Sequence, residues 1–445
     1  MAEPVHARAS SASYEATGNA TKADSPKNIR RILVAAEFFP SRIQPWLLNS
    51  IEVAVLRGVD VEVVATRASG TTFPARVEQL GLMERTLHLP VHGKPAFMTG
   101  LKHHLPGSPY FSRAWRGTAR ALASRDLRAG GLRPWMRSLF HGSLVGGKPF
   151  DLVHAHYVSS AFSYLAAPVV FNAPLVVTFH GLPPAGVGAL PPERNKIVFD
   201  RGELFLLNTR FAQRQLESLG CPSEKIRILP QGVRLEEYSF STRSLPANEP
   251  VIILTVARLQ PDKGHEFAIR AVAEVLRGGG NVEYRIVSDG PERRKLEALA
   301  VELGIADRVK FLGQLDDAGL NREYSSAHIF ILPSVRDRIG KHEETQGAVI
   351  QEAQASGAIV ISTLTGGIPE CVDDGRSAFL VPDRDAPALA RAIQHILDHP
   401  ERWTEWQTLA REWVETHYDM RVIGDRMWAL YEEAVALHAM KKSSA

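Results

Sequence analysis

Short aliphatic runs recur along this chain, and each is followed by polar residues and then by a helix-like pattern. The first such unit runs from a strand at 30–36, through a helix at 44–56, to a strand at 59–65. A second series begins with the aliphatic run 251–256. Strands that alternate with helices pair in parallel, so the pattern predicts an α/β chain with two Rossmann-like domains facing each other across a cleft.

The boundaries of the domains follow from changes in composition. At 445 residues the chain is too long for a single hydrophobic core. The polar, proline-containing stretch 239–250 is the candidate linker. We therefore expect four segments, in chain order: a disordered leader over 1–29, a first domain over 30–240, a second domain over 250–398, and C-terminal helices over 399–445 that pack back on the first domain.

Charge and cysteine content exclude several classes of protein. A net charge of +3 is too small to indicate nucleic-acid binding. The two cysteines, Cys221 and Cys371, are far apart, which argues against a disulfide framework and favours a reducing compartment. No apolar run approaches the roughly 18–20 residues that cross a bilayer, and the leader has no secretory core segment. We therefore expect a cytoplasmic protein.

In the first domain, polar residues stand where successive strands end. Parallel sheets bind ligands outside the carboxyl ends of their strands. His156, His180 and the pair Asn208–Thr209 occupy such positions. A histidine there is often only hydrogen-bonded, but two at successive strand ends predict that one is functional. The loop after the first strand lacks G-x-G-x-x-G, which argues against a dinucleotide cofactor.

In the second domain, two cations and two carboxylates follow strands. Arg258 and Lys263 lie five positions apart, and two cations so placed suit a diphosphate. Glu344 and Glu352 lie eight positions apart around the start of a helix that Gly357 ends. Helix N-termini bind anions, and carboxylates bind hydroxyls. Taken alone, the glutamate pair could belong to a surface helix with ordinary acidic residues. Taken together with the two cations, the pair indicates a nucleotide-sugar ligand.

The stretch from 102 to 148 is basic and aromatic. Asp126 is its single acidic residue. The basic residues of the stretch, apart from histidine, are Lys102, Arg113, Arg116, Arg120, Arg125, Arg128, Arg133, Arg137 and Lys148. Aromatic and basic residues together suit an anionic membrane surface. The alternative is a solvated helical insert whose arginines pair with acidic groups of the protein itself.

Six motifs carry a family resemblance. They are FDLVHAHY at 150–157, TFHG at 178–181, ILPQGVRLEEY at 228–238, VARLQPDKG at 256–264, SDGP at 288–291, and the Glu344–Glu352 pair followed by AQASG and STLTGGIPE. From about 31 to 431 the chain resembles the family-4 retaining glycosyltransferases, which have the GT-B fold. Within that family it is most similar to enzymes that build bacterial exopolysaccharide and lipopolysaccharide.

The resemblance implies roles for the matching positions. Arg258 and Lys263 would hold the donor diphosphate and stabilise the leaving group, Glu352 would bind the ribose, and Glu344 would contact the donor sugar. His180 would lie beside the donor sugar. The expected catalytic residues are His180, Arg258, Lys263 and Glu344. Further donor contacts are implied at Gly290, Gln346, Gly347 and Ala348. The expected residues on the acceptor side are His156, Asn208 and Thr209.

The implied reaction moves a hexose from a UDP- or GDP-sugar to a glycan, expected to be lipid-linked, at the inner face of a membrane. It would need no metal, no cofactor and no side-chain nucleophile, because the cations replace magnesium and the leaving phosphate acts as base. Where family members usually show Glu-Gly-x-Pro, this chain has Glu344-Thr345-Gln346-Gly347. Two alternatives stay open: a sugar-nucleotide epimerase of the same fold, and a non-catalytic sugar-nucleotide-binding protein.

Overall fold

A computed structural model describes residues 29–41, 44–69, 73–91, 93–124, 141–182, 190–336 and 343–443. The predicted leader lies outside these residues except for Ile29. So do five charged residues of the basic stretch, namely Arg125, Asp126, Arg128, Arg133 and Arg137.

The first unit is a parallel sheet flanked by helices. Within the described residues its seven strands lie in the order β3-β2-β1-β4-β5-β6-β7. The strands are β1 Arg31–Ser41, β2 Asp60–Ser69, β3 Thr86–His88, β4 Leu152–His156, β5 Leu175–Phe179, β6 Leu204–Leu207 and β7 Ile226–Ile228. The helices are α1 Pro45–Leu56, α2 Ala75–Gln79, α3 Gly93–His104, α4 Phe111–Ala123, α5 Gly142–Val145, α6 Val158–Ser163, α7 Ala166–Val170, α8 Pro192–Arg201 and α9 Arg210–Ser218.

The second unit repeats this architecture. Its described strands number six, in the order β10-β9-β8-β11-β12-β13. They are β8 Val251–Val256, β9 Val282–Val287, β10 Val309–Gly313, β11 Ile329–Leu332, β12 Ile359–Thr363 and β13 Phe379–Val381. The helices that follow are α10 His265–Arg277, α11 Arg293–Glu302, α12 Asp317–Ser326, α13 Ala348–Ser356, α14 Ala386–Asp398, α15 Trp403–His417 and α16 Met420–Ser443. The predicted pair of Rossmann-like sheets is confirmed.

The aliphatic runs became central strands because both of their faces are covered. In β1, Leu33 packs in the core on one side of the sheet, and Ile32 and Val34 pack in the core on the other. Both neighbours of β1 run parallel to it, since Ile32 pairs with Val61 of β2 and with Leu152 of β4. A continuous aliphatic run without polar alternation is what burial on two faces requires.

Several elements differ from the sequence-based prediction. β1 continues to Ser41, five residues beyond the predicted end of the strand. β3, α8 and α12 were not predicted, since β3 is short and both helices are mostly polar. The helical C-terminal segment predicted from 402 to about 437 is divided into two helices, α15 and α16. It breaks at Tyr418–Asp419, where the Val233 amide donates to the Tyr418 carbonyl at 2.7 Å and the Met420 amide donates to the Val233 carbonyl at 2.9 Å.

The C-terminal segment divides between the two units. Trp403 and Trp406, at the start of α15, belong to the core of the second unit. Trp428 and Tyr431 of α16 belong to a core of the first unit, packed under its central strands. The chain thus crosses between the units twice, at the linker and again at 418–419.

Replacing Tyr431 tests the packing of α16 on the first sheet. Its side chain is 1% exposed, and its hydroxyl lies 2.7 Å from His154 Nδ1. We expect Tyr431→Ala to lower the free energy of unfolding by about 3–5 kcal/mol, as for other large buried aromatics. Tyr431→Phe removes only the hydroxyl and should cost about 1 kcal/mol. Urea unfolding followed by tryptophan fluorescence measures both; equal losses in the two variants would contradict the packing role.

Candidate active site between the two sheets

A buried ion pair joins the loops that follow β8 and β11. Lys263 ends a 3-10 turn after β8, and its Nζ lies 2.5 Å from Glu344 Oε2 and 3.5 Å from Asp262 Oδ2. Burial lowers the pKa of Lys263, but the two carboxylates raise it by more, so its pKa is above the ordinary value. The ammonium group therefore stays charged at the base of the cleft.

Arg258 supplies a second cation from the same loop. Its side chain is exposed, and within the described residues its guanidinium has no ion pair or hydrogen bond. Its positive charge acts on groups of both units: it partly opposes the rise in the pKa of Lys263 and the rise in the pKa of Tyr157, which follows β4 of the first unit. The guanidinium is thus available to an anion in the cleft.

Glu352 lies on α13, where Tyr324 Oη donates to its Oε2 at 2.7 Å. Burial raises the pKa of this carboxyl to about 7, and the hydrogen bonds from Tyr324 and Tyr238 oppose that rise. It borders a small cavity of about 40 Å³ that Trp46 and Arg76 of the first unit also line. Glu352 therefore changes charge near neutral pH in a pocket shared by both units.

Two glycines fix the loop that carries Glu344. The Gly367 amide donates to the Glu344 carbonyl at 2.8 Å, and the Gly366 amide donates to the Glu343 carboxylate at 3.1 Å. A Cβ at Gly366 would lie 2.0 Å from the Glu344 carbonyl oxygen. Only glycine permits this approach, which explains the Gly-Gly of the STLTGGIPE motif.

Thr345 joins this loop to the first unit. Asn208 Nδ2 donates to Thr345 Oγ1 at 2.9 Å, and Thr209 Oγ1 donates to the Thr345 carbonyl at 2.9 Å. The Thr345 hydroxyl lies 3.4 Å from the His180 carbonyl. Asn208 and Thr209, predicted on the acceptor side, thus hold the loop of the second unit.

Gln346 makes a reciprocal pair with the backbone of Gln231. The Gln231 amide donates to Gln346 Oε1 at 2.8 Å, and Gln346 Nε2 donates to the Gln231 carbonyl at 2.9 Å. The Gln346 side chain is buried, so a donor contact at this position would come from its backbone. Gly347 is the N-cap of α13 and Ala348 its first residue, and no side chain caps this helix among the described residues.

Glu370 makes a third link between the units. Its carboxylate accepts from the amides of Arg210 at 2.6 Å and Phe211 at 2.8 Å, the first two residues of α9. A carboxylate at a helix N-terminus satisfies free amides and favours the positive end of the helix dipole. Three separate contacts thus hold the second unit against the first, on the rim of the cleft.

His156 and His180 meet at the ends of β4 and β5, as their positions predicted. His156 Nδ1 lies 3.2 Å from His180 Nε2, and the ring of His180 lies against that of Trp46, with centroids 3.7 Å apart. Gln231 Nε2 lies 3.3 Å from His180 Nδ1. Burial lowers the pKa of His180 to about 3 and that of His156 well below its usual range. Both rings are therefore neutral at physiological pH.

Gly290 supports the cationic loop from behind. A Cβ at this position would lie 2.4 Å from the Leu259 carbonyl oxygen, and the Leu259 amide donates to the Asp289 carbonyl at 3.1 Å. The SDGP turn thus packs directly on the loop that carries Arg258 and Lys263.

Two aromatic residues of the site were not singled out from the sequence. Trp46 is the second residue of α1, and its ring lies against that of His180. Tyr157 has φ +72°, a strained value for a residue other than glycine, and burial and the Glu37 carboxylate raise its pKa to about 12. Strain of this kind concentrates at functional sites. The position of Tyr157 directly after His156 at a strand end was the available signal.

A separate apolar surface lies on α3 and α4. It consists of exposed apolar side chains, namely Phe97, Met98 and Leu101 on α3, Leu105 directly after α3, and Phe111, Trp115 and Leu122 on α4. The Trp115 indole donates to the His104 carbonyl, which joins the two helices. The opposite flank of α4 carries Arg113, Arg116 and Arg120, which line a cavity of about 540 Å³, and Arg113 pairs with Glu62.

Two kinds of site are absent from the described part of the chain. None of its helices is long and apolar enough to cross a membrane. It also holds no cluster of three or more His, Cys, Asp or Glu side chains suited to a metal ion.

Comparison with known proteins finds two family models. "Glycosyltransferase Family 4" matches residues 48–237, and "Glycosyl transferases group 1" matches residues 250–399. Among curated proteins, WcaL of Escherichia coli, named for colanic acid biosynthesis, is 30% identical over 88% of this chain and 97% of its own length. AmsK of Erwinia amylovora, an amylovoran biosynthesis glycosyltransferase, is 27% identical over 86% of this chain and 95% of its own length.

Solved structures share the fold. HepE of Anabaena in complex with UDP superposes with a TM-score of 0.67 at 16% identity, over 91% of this chain and all of that one. Sucrose-phosphate synthase of Thermosynechococcus elongatus superposes with a TM-score of 0.65 at 23% identity, over 92% of this chain and 99% of that one. Both comparisons extend across the two sheets.

The raised pKa of Glu352 predicts a dependence of stability on pH. Because its pKa is near 7 in the folded chain and near 4.5 for a freely solvated glutamate, the folded state binds the extra proton between those values. Stability from this group is therefore complete at low pH and is lost as pH rises through 7. We expect wild type to lose stability relative to Glu352→Gln between pH 4.5 and pH 7. Parallel urea midpoints for the two proteins over that range would contradict this assignment.

Proposed function

The chain belongs to the family-4 glycosyltransferases and has the GT-B fold, and on this premise we propose that it transfers a hexose from a UDP- or GDP-sugar to a glycan acceptor. The observation that carries the proposal is the pair of cations in the cleft, Lys263 and Arg258, beside Glu344 and the uncapped start of α13. HepE, which shares the fold, has been solved with UDP and with UDP-glucose.

The donor diphosphate would lie between the cations and the start of α13. Arg258 is the available group, since its guanidinium is exposed to the cleft, and Lys263 is held charged by Glu344. Both cations would stabilise the negative charge that develops on the leaving phosphate. They would also take the part that a divalent metal plays in other transferases, so we propose a reaction without a metal. Glu352 would accept hydrogen bonds from the ribose hydroxyls.

We propose that the reaction retains the configuration of the sugar. The bond from the anomeric carbon to the phosphate oxygen breaks, the acceptor oxygen bonds that carbon from the same face, and its proton passes to the leaving phosphate. Neutral His156 and His180 are poor bases at physiological pH, because burial holds their pKa values low. This supports the phosphate as the base.

The acceptor is proposed to be a lipid-linked glycan of exopolysaccharide synthesis. WcaL and AmsK are named for the biosynthesis of two such polymers, and each aligns with most of this chain. The apolar surface of α3 and α4, together with the exposed Arg116 and Arg120 on the other flank of α4, would bring the cleft to an anionic membrane on its cytoplasmic side.

Loss of either cation should slow transfer. We expect Lys263→Ala and Arg258→Ala to lower kcat/KM by about 10²-fold, through lost charge stabilisation in the transition state. Lys310→Ala is the control, since Lys310 is an exposed lysine that donates to the Asp307 carbonyl. Transfer of radiolabelled sugar to a membrane glycan fraction measures the effect. Unchanged turnover in both cation variants would contradict the diphosphate assignment.

The donor for that assay can be found by thermal shift with UDP-, GDP-, ADP- and TDP-sugars. A ligand at about 100 times its Kd stabilises the folded state by about 2.7 kcal/mol. Incubation of the chosen donor without acceptor separates the alternatives: transfer requires the glycan, whereas an epimerase would convert the donor alone. Binding with no transfer to any membrane glycan would indicate a non-catalytic protein.

The α3–α4 surface predicts binding to vesicles that contain phosphatidylglycerol. We expect Trp115→Ala combined with Leu122→Ala to weaken sedimentation with such vesicles by about tenfold, since buried apolar area supplies the binding energy. Val301→Ala, at an exposed apolar position on α11, is the control. Binding that is equal for neutral and anionic vesicles, or unaffected by the double substitution, would contradict a membrane role.

A further inference from the structure

The tautomers of the paired histidines follow from a serine at one end of their hydrogen-bond chain. Ser50 Oγ donates its single proton to the Leu47 carbonyl at 2.8 Å. It must therefore accept from His156 Nε2, which lies 3.3 Å away. A neutral imidazole carries one N–H, so His156 Nδ1 is unprotonated and accepts from His180 Nε2. The same rule leaves His180 Nδ1 as an acceptor.

Gln231 completes the chain at the other end. Its Nε2 lies 3.3 Å from His180 Nδ1, and a carboxamide NH2 is a donor that an unprotonated imidazole nitrogen accepts. The tautomer deduced from Ser50 and the group presented by Gln231 therefore agree. Both ring nitrogens of His180 are bonded to protein, so the ring has no nitrogen left to exchange a proton with substrate.

The second unit holds the residue that positions Gln231. Gln346, in the loop between Glu344 and α13, makes two hydrogen bonds to the backbone of Gln231. Next to it, the Thr345 hydroxyl lies 3.4 Å from the carbonyl of His180. The loop that carries Glu344 thus contacts the His180 backbone directly through Thr345. It acts on the His180 ring indirectly, through Gln346 and Gln231.

We propose that Gln231 is a positioning residue that fixes His180 as the Nε2-protonated tautomer, and that Gln346 places Gln231 when the two units close. The proposal rests on the proposed function, because the family resemblance implies that His180 lies beside the donor sugar of that reaction. In the closed arrangement the His180 ring keeps its tilted contact with Trp46, and the carbonyl of His180 keeps a set direction. When the units part, Gln346 releases Gln231, and His180 can exchange tautomers.

Nitrogen-15 spectra of histidine-labelled protein test the tautomer without any assay of activity. The His180 signals are assigned by their loss in His180→Ala. In wild type we expect an unprotonated Nδ1 and a protonated Nε2; in Gln231→Ala we expect intermediate shifts from mixed tautomers. Gln394→Ala is the control, because its carboxamide bonds only an exposed Asp398 on α14 among the described residues. Spectra of Gln231→Ala identical to wild type would overturn the proposal.

The coupling to Gln346 is tested by a double-mutant cycle. Gln231→Ala keeps the backbone that Gln346 holds, so kcat should fall about tenfold with KM for the donor unchanged. Gln346→Ala should move the His180 signals in the same direction. If Gln346 acts through Gln231, the double variant should show no lower kcat and no larger change in the His180 signals than the more impaired single variant. Additive effects on the His180 signals would overturn the role of Gln346.

These outcomes separate the two proposals. If wild type transfers no sugar from any donor tested, the proposed function fails, yet the nitrogen-15 spectra still decide the tautomer and its dependence on Gln231 and Gln346. If transfer is normal and the spectra do not respond, the positioning role fails alone. Gln231→Asn keeps the amide but holds it one methylene short, so it should reproduce neither the wild-type tautomer nor the wild-type kcat.

Discussion

Because both sheets are parallel, every strand in them ends at the same edge, and the whole site must be built from the loops at those edges. Lys263 and Arg258 follow β8, Glu344 follows β11, and the two histidines follow β4 and β5. No strand of one sheet pairs with a strand of the other among the described residues. The geometry of the cleft therefore depends on contacts between loops, made by Thr345, Gln346 and Glu370 with the first unit.

The two units contribute different chemistry to the cleft. The second unit supplies the cations, with Lys263 kept charged by the Glu344 and Asp262 carboxylates. The first unit supplies aromatic and neutral groups, since burial keeps its histidines uncharged. Cations on one side and neutral, aromatic groups on the other suit a reaction in which negative charge develops beside the second unit while the first unit excludes water.

The sequence allowed the strands and the polar residues at their ends to be predicted, because a buried parallel strand leaves a continuous aliphatic run and a fixed edge for ligands. It also placed Glu352 on a helix that Gly357, at φ +89°, ends. It did not predict that Thr345 and Gln346 face the first unit. Their partners Asn208 and Gln231 lie 137 and 115 residues away in the chain, and no local period encodes such a contact. The polar helices α8 and α12 were missed for a related reason, since their weak apolar periodicity gives little local signal.

The least family-like stretch, Thr345-Gln346-Gly347, is explained by these contacts. A glycine at 345 would lack the hydroxyl that Asn208 donates to and the methyl group that a Cβ at Gly181 would meet at 2.7 Å. An apolar residue at 346 would leave both the amide and the carbonyl of Gln231 without their partner. Unpaired buried backbone groups are costly, so the side chains at 345 and 346 and the Gln231 backbone form one unit of structure. The departure from Glu-Gly-x-Pro thus alters how the loop meets the opposite domain, while Glu344 keeps its ion pair with Lys263.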